Sequence, residues 1–564
     1  MQIPEYTDPQ PTTDRIRFIP IGGLGEVGKN MAVVEYGEDI ILVDMGMGFP
    51  EEEMLGIDLV LPDITYLEGK ADRIRGICIT HGHEDHIGGI PWLLPQVGNA
   101  PIYATPLTIG LIKNKLKERN LLNEAILNVV QAGDIIELGP FRVEFVHVCH
   151  SIPDACLLAI HTPLGTIVHT GDFKLDPTPA DGFLTDYETL ARLGSEGVLG
   201  LFTDCVHVET PGYTPSEQVV AKTLTNIIAN AQGRVIIATF ASLISRVQQI
   251  LDIAYKHNRK VALLGRSLDN NVRVAVELGY LNIPPGVIVD VADTGKLYDN
   301  EVVVICTGAQ GEPTSALSRI ANDDSRFWTA KPGDTYILSA SPIPGNETSV
   351  GRVINNLFAK GAEVIYSSVA QVHVSGHASQ EEHKLMLNLL RPRYVVPIHG
   401  EKRHLVTYSK LAQGVGIPKD NIFLVDNGYV VELNHDEAMV TGRVPAGHVF
   451  VDGLSVGEVG QVVIRDRQLL ARDGVLLVVV TVDKQTGHLV AGPDIVTRGF
   501  VYAAEAGVLL DETKEQVKEA LERHTNGTAP DWNYLNKKIR DTVSQHLYEK
   551  TKRRPMVLPV VMEL

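Results

Sequence analysis

Short apolar runs separated by glycine turns fill residues 16–48: Ile16-Arg-Phe-Ile-Pro-Ile21, Met31-Ala-Val-Val-Glu35 and Ile40-Ile-Leu-Val-Asp44. Such runs predict antiparallel strands. More short strands are expected as far as residue 204, among them 77–80, 141–148 and 166–168, with one helix at 106–119. The pattern then changes. Thr214-Pro-Ser-Glu217 reads as a capping box with proline at the first helical position. Val220, Leu224, Ile227 and Ile228 follow at helical spacing, and Gly233 stops the run. Strands at 234–240, 261–264, 302–307 and 336–339 alternate with helices at 242–258, 269–278 and 348–360. That alternation predicts a parallel-sheet α/β domain inserted into the first fold. From about 363 the chain resumes the histidine-bearing, short-strand pattern of its first 204 residues. After about 455 a third unit is expected, with strands near 461–464, 476–482 and 556–562 and helices near 513–524 and 534–551. The predicted division is 1–204, 205–362, 363–455 and 456–564.

At 564 residues the chain is long enough for several domains, each with its own core. A hydrophobic fraction of 44% with 21% charged residues is that of an ordinary globular protein. The formal charge of −19 argues against whole-surface attraction to nucleic acid, though it leaves room for a local groove or bound cations. The five cysteines are scattered and form no CxxC pair, and the first residues carry no basic and apolar leader. Both features predict a reducing, cytoplasmic setting. The longest apolar run, 475–480, is too short to span a bilayer, so no membrane partner is expected. Gly23-Leu-Gly25-Glu-Val-Gly28 matches the dinucleotide fingerprint formally, but a strand rather than a helix is expected after it, so no cofactor is predicted there.

The chemistry concentrates in His81-Gly-His83-Glu-Asp85-His86, directly after an apolar strand. Imidazole and carboxylate are ligands that zinc accepts, and four of them on so short a turn suggest two metals rather than one open ion. Three further residues, His150, Asp172 and His399, each follow the C-terminal end of a predicted strand, where side chains of neighbouring strands converge. The histidine-rich set favours zinc, with manganese as second choice. Glu84 is expected to face away from the metals, and Asp44 to orient a ligand from behind.

These motifs, in this order, resemble the metallo-β-lactamase fold. The resemblance implies an αββα sandwich with a dinuclear site at one edge. One metal would take His81, His83 and His150, the other Asp85, His86 and His399, and Asp172 would bridge. The insertion between Asp172 and His399 resembles the β-CASP domain of nucleases, with Asp204 as its acidic motif and His377, in His373-Val374-Ser375-Gly376-His377, as its second motif. The match narrows to the ribonuclease J family through Gly22-Gly-Leu-Gly-Glu-Val-Gly-Lys-Asn30, His150-Ser-Ile-Pro-Asp154, Pro211-Gly-Tyr-Thr-Pro-Ser-Glu217 and Arg554-Pro-Met-Val-Leu-Pro559. That resemblance implies a cytoplasmic enzyme that removes nucleotides from a 5′-monophosphate RNA end and also cuts internally.

Asp85, Asp204 and His377 are the implied catalytic residues; Ser242, His373, Val374, Ser375, Gly376 and His377 are the implied substrate contacts. A structural calcium at Asp452, with Leu55 and Ile57, is also implied, as are homodimers or homotetramers and association with other RNA-decay proteins. Two departures stand out. The family's Ser-Asp-Ser-Thr-Asn-Ala-Glu reads Thr203-Asp-Cys-Val-His-Val-Glu209 here, and its Ala-Ser-Asn-Ile-His-Arg turn reads Ala241-Ser-Leu-Ile-Ser-Arg246. They put the handling of the terminal nucleotide in question, with His207 as a candidate replacement. A β-CASP endonuclease, a DNA nuclease and a non-catalytic RNA-binding subunit are the competing readings.

Overall fold

The computed structural model describes residues 5–51, 53–343, 345–453, 455–486, 488–501, 507–522 and 532–564. Tertiary contacts divide the chain into two units, Met1–Phe49 with Val60–Val449, and Pro50–Leu59 with Phe450–Leu564.

In the first unit the apolar runs of residues 16–48 form the expected strands. Ile16–Gly22, Met31–Tyr36 and Asp39–Val43 pair antiparallel in succession. Ile74–Cys78, Ile102–Ala104 and Leu127–Val129 extend the sheet in parallel on one side, and Tyr429–Leu433 and Ala438–Arg443 extend it on the other, giving eight strands. A second sheet of six strands runs in the order Tyr394–Ile398, Val198–Asp204, Gly165–His169, Cys156–Thr162, Phe141–His147, Ile135–Leu138. Its first three strands are mutually parallel, with His169 opposite Phe202 and Asp204 opposite Ile398. Their C-terminal ends therefore lie at one edge.

Strand alternation produces two cores from the second sheet. Phe145, Leu158 and Phe202 face the first sheet's Phe18, Val34 and Ile41, with the Phe18 and Phe202 rings stacked at 3.6 Å. Val146, Leu157 and Leu201 face Leu190, Met386 and Tyr408 on helices Tyr187–Glu196, Gln380–Leu390 and Lys402–Gly414. Each fully buried Leu or Phe contributes about 1.5–3 kcal/mol. These are three of the four layers of the αββα sandwich that the resemblance implies.

The insertion is an all-parallel sheet ordered Lys260–Leu264, Val302–Cys306, Val235–Ala238, Thr335–Leu338, Glu363–Ile365. Its fifth strand lies past residue 362, so the inserted sheet runs beyond the expected boundary. Two helix starts also differ. The first helix of the insertion is Glu217–Asn230 and is capped by Ser216, whose hydroxyl accepts from Gln218 N–H. Thr214 does not cap it, because its hydroxyl is committed to the His377 carbonyl and to Ser379. The next helix is Ile244–Lys256, which leaves Ser242 in the preceding turn.

The second unit has a three-stranded sheet, Leu489–Arg498, Val475–Val482 and Met556–Glu563, covered by helices Gly507–Glu522 and Trp532–Thr551. Residues 461–464, expected as a strand, are the first turn of helix Gln461–Asp473. Val462 and Val463 suggest a strand by type, yet both are exposed, and Ile464 is the buried residue of that turn. Strand Leu489–Arg498 escapes the sequence pattern, since Gly492 and Pro493 interrupt its apolar run. The predicted helix end at His524 lies outside the described residues. Among the described residues no helix is long and apolar enough to cross a membrane.

Candidate metal centre

His81 and His83 sit on the loop that leaves strand Ile74–Cys78, and a single helical turn, Glu84–Ile87, presents Asp85 and His86. His150 follows Phe141–His147, Asp172 follows Gly165–His169, and His399 follows Tyr394–Ile398. The parallel register makes the last two neighbours although 227 positions separate them: His399 Nδ1 lies 2.7 Å from Asp172 Oδ1. His399 holds a left-handed backbone, φ +47, which is uncommon for a residue with a Cβ.

The structure brings all seven expected ligands together. One ligand atom from each of His81, His83, His150 and Asp172 lies within 4.8 Å of the others, and the same holds for Asp85, His86, Asp172 and His399. His81 Nε2 and His150 Nε2 approach His83 Nδ1 at 3.0 and 3.1 Å. Burial first, and then the neighbouring imidazoles, hold His81 and His150 well below the usual histidine range, and burial lowers His83 to about 4. Three neutral imidazoles converging in this way present lone pairs with few protons between them, which suits a cation.

His86 and His399 differ. Burial opposes their charge, but Asp172 and Asp85 outweigh it, with Asp44 also acting on His86. His86 is held well above the usual range and His399 at about 10. Asp172 lies 3.3 Å from His86 Nε2 and 3.6–3.7 Å from His81 and His150 Nε2. It is the one carboxylate common to both groups of candidate ligands. The donor set fits a divalent metal site, and a cation bound there would displace the protons that His86 and His399 otherwise hold.

The supporting groups are equally specific. Asp44 Oδ2 lies 2.7 Å from His86 Nδ1, so that the other ring nitrogen is aimed at the cluster, while Asp44 Oδ1 accepts from Thr80 N–H at 2.8 Å. Glu84 turns outward to Lys115 at 2.5 Å. Sequence reasoning misses three contributors. Asn30 Nδ2 lies 3.2 Å from Asp85 Oδ2 and 3.0 Å from His86 Nε2. Ser151 Oγ reaches His83 and His150 at 3.4 Å. The Gly376 carbonyl lies 2.7 Å from His150 Nδ1. Asn30 is visible only as part of a glycine-rich motif, Ser151 only as the residue after His150, and Gly376 only as an expected substrate contact rather than a partner of His150.

Asp204 and His377 join the cluster at its edge, with His377 Nδ1 2.8 Å from Asp204 Oδ2 and 4.0 Å from Asp172 Oδ2. Burial opposes charge on His377, yet Asp204 and Asp172 raise it above the usual range. The side chains of Asp85 and His377 are each 21% exposed, against 3% or less for His81, His86, His150, Asp172 and His399, so the site opens on their side.

The expected substrate contacts are only partly arranged as predicted. The His377 N–H donates to Ser375 Oγ at 3.1 Å, Val374 is in the core, and His373 is neutral, lowered to about 4 by burial and by Arg246. Ser242 lies ahead of the helix, Leu243 is buried, and Ser245 lines a cavity with His150, Ser151, Lys174 and Glu217. His207 faces Thr210 and Ser379, at 3.0 and 3.3 Å. Asp452 and Leu55, expected at calcium, both accept from Arg467.

Comparison with known proteins supplies four family matches: the metallo-beta-lactamase superfamily over residues 24–206, the ribonuclease J beta-CASP domain over 232–357, a Zn-dependent metallo-hydrolase RNA specificity domain over 361–423, and the ribonuclease J C-terminal domain over 462–564. Ribonuclease J2 of Bacillus subtilis is 43% identical over 552 residues, covering 98% of this chain and 99% of its own. Ribonuclease J 1 of Streptococcus pyogenes is 45% identical over 549 residues, covering 97% and 98%. Ribonuclease J 2 of Staphylococcus aureus is 39% identical with the same coverage. A crystal structure of a protein of unknown function from Enterococcus faecalis matches at TM-score 0.53 and 18% identity, over 74% of this chain and all of that one; it supports the fold alone.

Proposed function

The chain belongs to the ribonuclease J family and is a metal-dependent ribonuclease, and from that premise we propose that it degrades RNA 5′-to-3′ from monophosphorylated ends and also cuts internally. His81, His83 and His150 would hold one metal and Asp85, His86 and His399 the other, with Asp172 shared; zinc is the favoured ion, manganese the second. Bound there, two such ions would acidify a shared water and would balance charge on the phosphate undergoing displacement.

The chain's own groups supply orientation and a proton. Asp44 and the Gly376 carbonyl fix which nitrogen of His86 and His150 carries hydrogen. Asp204 holds His377 through Nδ1, leaving Nε2–H free to protonate the departing 3′ oxygen. Asp85 at the open side meets the substrate together with His377. Ser242, Ser375 and His373 are the proposed contacts to phosphate. The observation that carries the reading is the Asp204–His377 pair, set against the metal cluster by residues from the first and third parts of the chain.

The C-terminal part, residues 456–564, would support dimers or tetramers, and the enzyme would act in the cytoplasm beside other RNA-decay proteins. The four-part division read from the sequence is kept in this proposal, with strand Glu363–Ile365 moved into the insertion. The five cysteines, all buried and unpaired in disulfides, are consistent with a reducing compartment.

Leu243 and Ser245 stand where the family carries an amide and an imidazole, so preference for the monophosphate should be weaker than if both were present. The test compares RNA bearing a 5′-monophosphate or triphosphate with DNA of the same sequence. Mononucleotides are expected from the monophosphate RNA first, and His377→Ala should lower kcat by about 10²–10⁴ with metal content unchanged. Equal cleavage of DNA, or equal release from both RNA ends, would sink the exonuclease reading.

A further inference from the structure

The second unit contains the residues that the resemblance assigns to a calcium ion, and the oxygens of two of them, Leu55 and Asp452, are already engaged. Arg467, on helix Gln461–Asp473, donates from Nη1 to the Leu55 carbonyl at 2.9 Å and from Nη2 to Asp452 Oδ2. The neighbouring Gln468 donates from Nε2 to the Glu53 carbonyl at 2.8 Å, so two adjacent side chains fasten the same loop. Gly56 makes the approach possible: its φ is +76, and a Cβ there would lie 2.6 Å from Arg467 Nη1. Asp58, another carboxylate on the loop, accepts from Gly453 N–H at 2.7 Å and closes the loop onto the turn that carries Asp452.

Calcium needs six to eight oxygens at about 2.3–2.6 Å, so a guanidinium bonded to two of the intended donors leaves no shell for it. The donors do suit the guanidinium. Its planar fork offers parallel N–H groups to one carboxylate and one carbonyl, and its single charge matches the single carboxylate it touches. The two side chains are 31% and 34% exposed, so their attraction is screened, and the geometry of the fork does most of the anchoring.

We propose that Arg467 is the resident cation of this site, and that the second unit holds its 53–58 loop without a divalent ion. Calcium would then be neither a ligand nor a stabiliser of this chain at that position.

The test uses full-length protein with its catalytic metals loaded, comparing wild type with Arg467→Gln, Asp452→Asn and the double variant. Calcium uptake is measured by equilibrium dialysis at about 1 mM, the weak end of calcium affinities, and amide exchange is followed across 53–58. Wild type and Asp452→Asn should take up the same calcium, and adding calcium should leave exchange of the loop unchanged. Arg467→Gln should speed that exchange several-fold while the rest of the chain keeps its protection. A calcium site that appears in Arg467→Gln and vanishes in the double variant would also support the proposal. Uptake by wild type that is lost in Asp452→Asn would overturn it, as would an Arg467→Gln loop that exchanges like wild type.

Discussion

Asp44 shows how one buried residue can orient a candidate ligand from behind, through His86 Nδ1. Its backbone is left-handed, φ +58, and it persists there because Thr80 donates to the carboxylate from both its N–H and its hydroxyl. The same carboxylate fixes His86. Asp44→Asn preserves shape, and asparagine tolerates the left-handed region, but its amide nitrogen can present a hydrogen where His86 Nδ1 presents one. Metal affinity should fall about 10–100-fold with the fold retained, as for other groups that orient a ligand. Competition with a chelating dye measures it, and unchanged affinity would show that His86 is oriented by something else. At this scale the sequence is readable where chemistry is clustered: His81, His83, Asp85 and His86 announce themselves within six positions. The contacts of Asn30 to Asp85 and of Gly376 to His150 are not readable, although Gly376 is expected as a substrate contact, because they span 55 and 226 positions and no local pattern encodes them.

Elements are legible where burial is two-sided. The strands of the inserted sheet are runs of Val and Ile, and their parallel pairing follows from the alternation with helices. Helix Gln461–Asp473 escapes recognition because its valines face outward, and the capping box fails because tertiary partners claim both of its ends. Glu217, expected to reach back to its own N-cap, pairs with Arg246, and Arg246 also donates to the Val372 carbonyl just ahead of His373 at 2.9 Å. The helix thus holds the base of the turn that carries His377. Burial works against charge on Glu217, but Arg246 and Lys174 keep its carboxyl below the usual range. A depressed carboxylate contributes stability above its unfolded pKa and loses it as pH falls through the folded value. Arg246→Met should therefore cost about 3–5 kcal/mol at neutral pH, and the deficit should shrink on acidification toward pH ~4 as Glu217 takes up a proton. Urea unfolding of metal-free wild type and variant at both pH values measures this; an equal deficit would assign the loss to packing alone.

Across the whole molecule, every proposed metal ligand lies in the first unit, yet the ligands come from both sides of the inserted domain. His399 reaches the site only because Tyr394–Ile398 pairs with Val198–Asp204, a junction that encloses the entire insertion. Binding metal should therefore stabilise sandwich and insertion together, since an ion that binds only the native state adds about 2.7 kcal/mol at a hundredfold excess over Kd. The second unit contributes no proposed catalytic-metal ligand and should not share that gain. The three tryptophans allow the two to be told apart, because Trp92 and Trp328 belong to the first unit and Trp532 to the second. In Trp532→Phe, fluorescence reports the first unit alone, and saturating zinc or manganese should raise that transition by several °C over chelated protein, at roughly 2–4 °C per kcal/mol for a unit this large or somewhat less. In the double variant Trp92→Phe/Trp328→Phe, Trp532 should report a transition unmoved by the same metals. If metal moved only the second transition, the ions would be binding somewhere other than the histidine cluster.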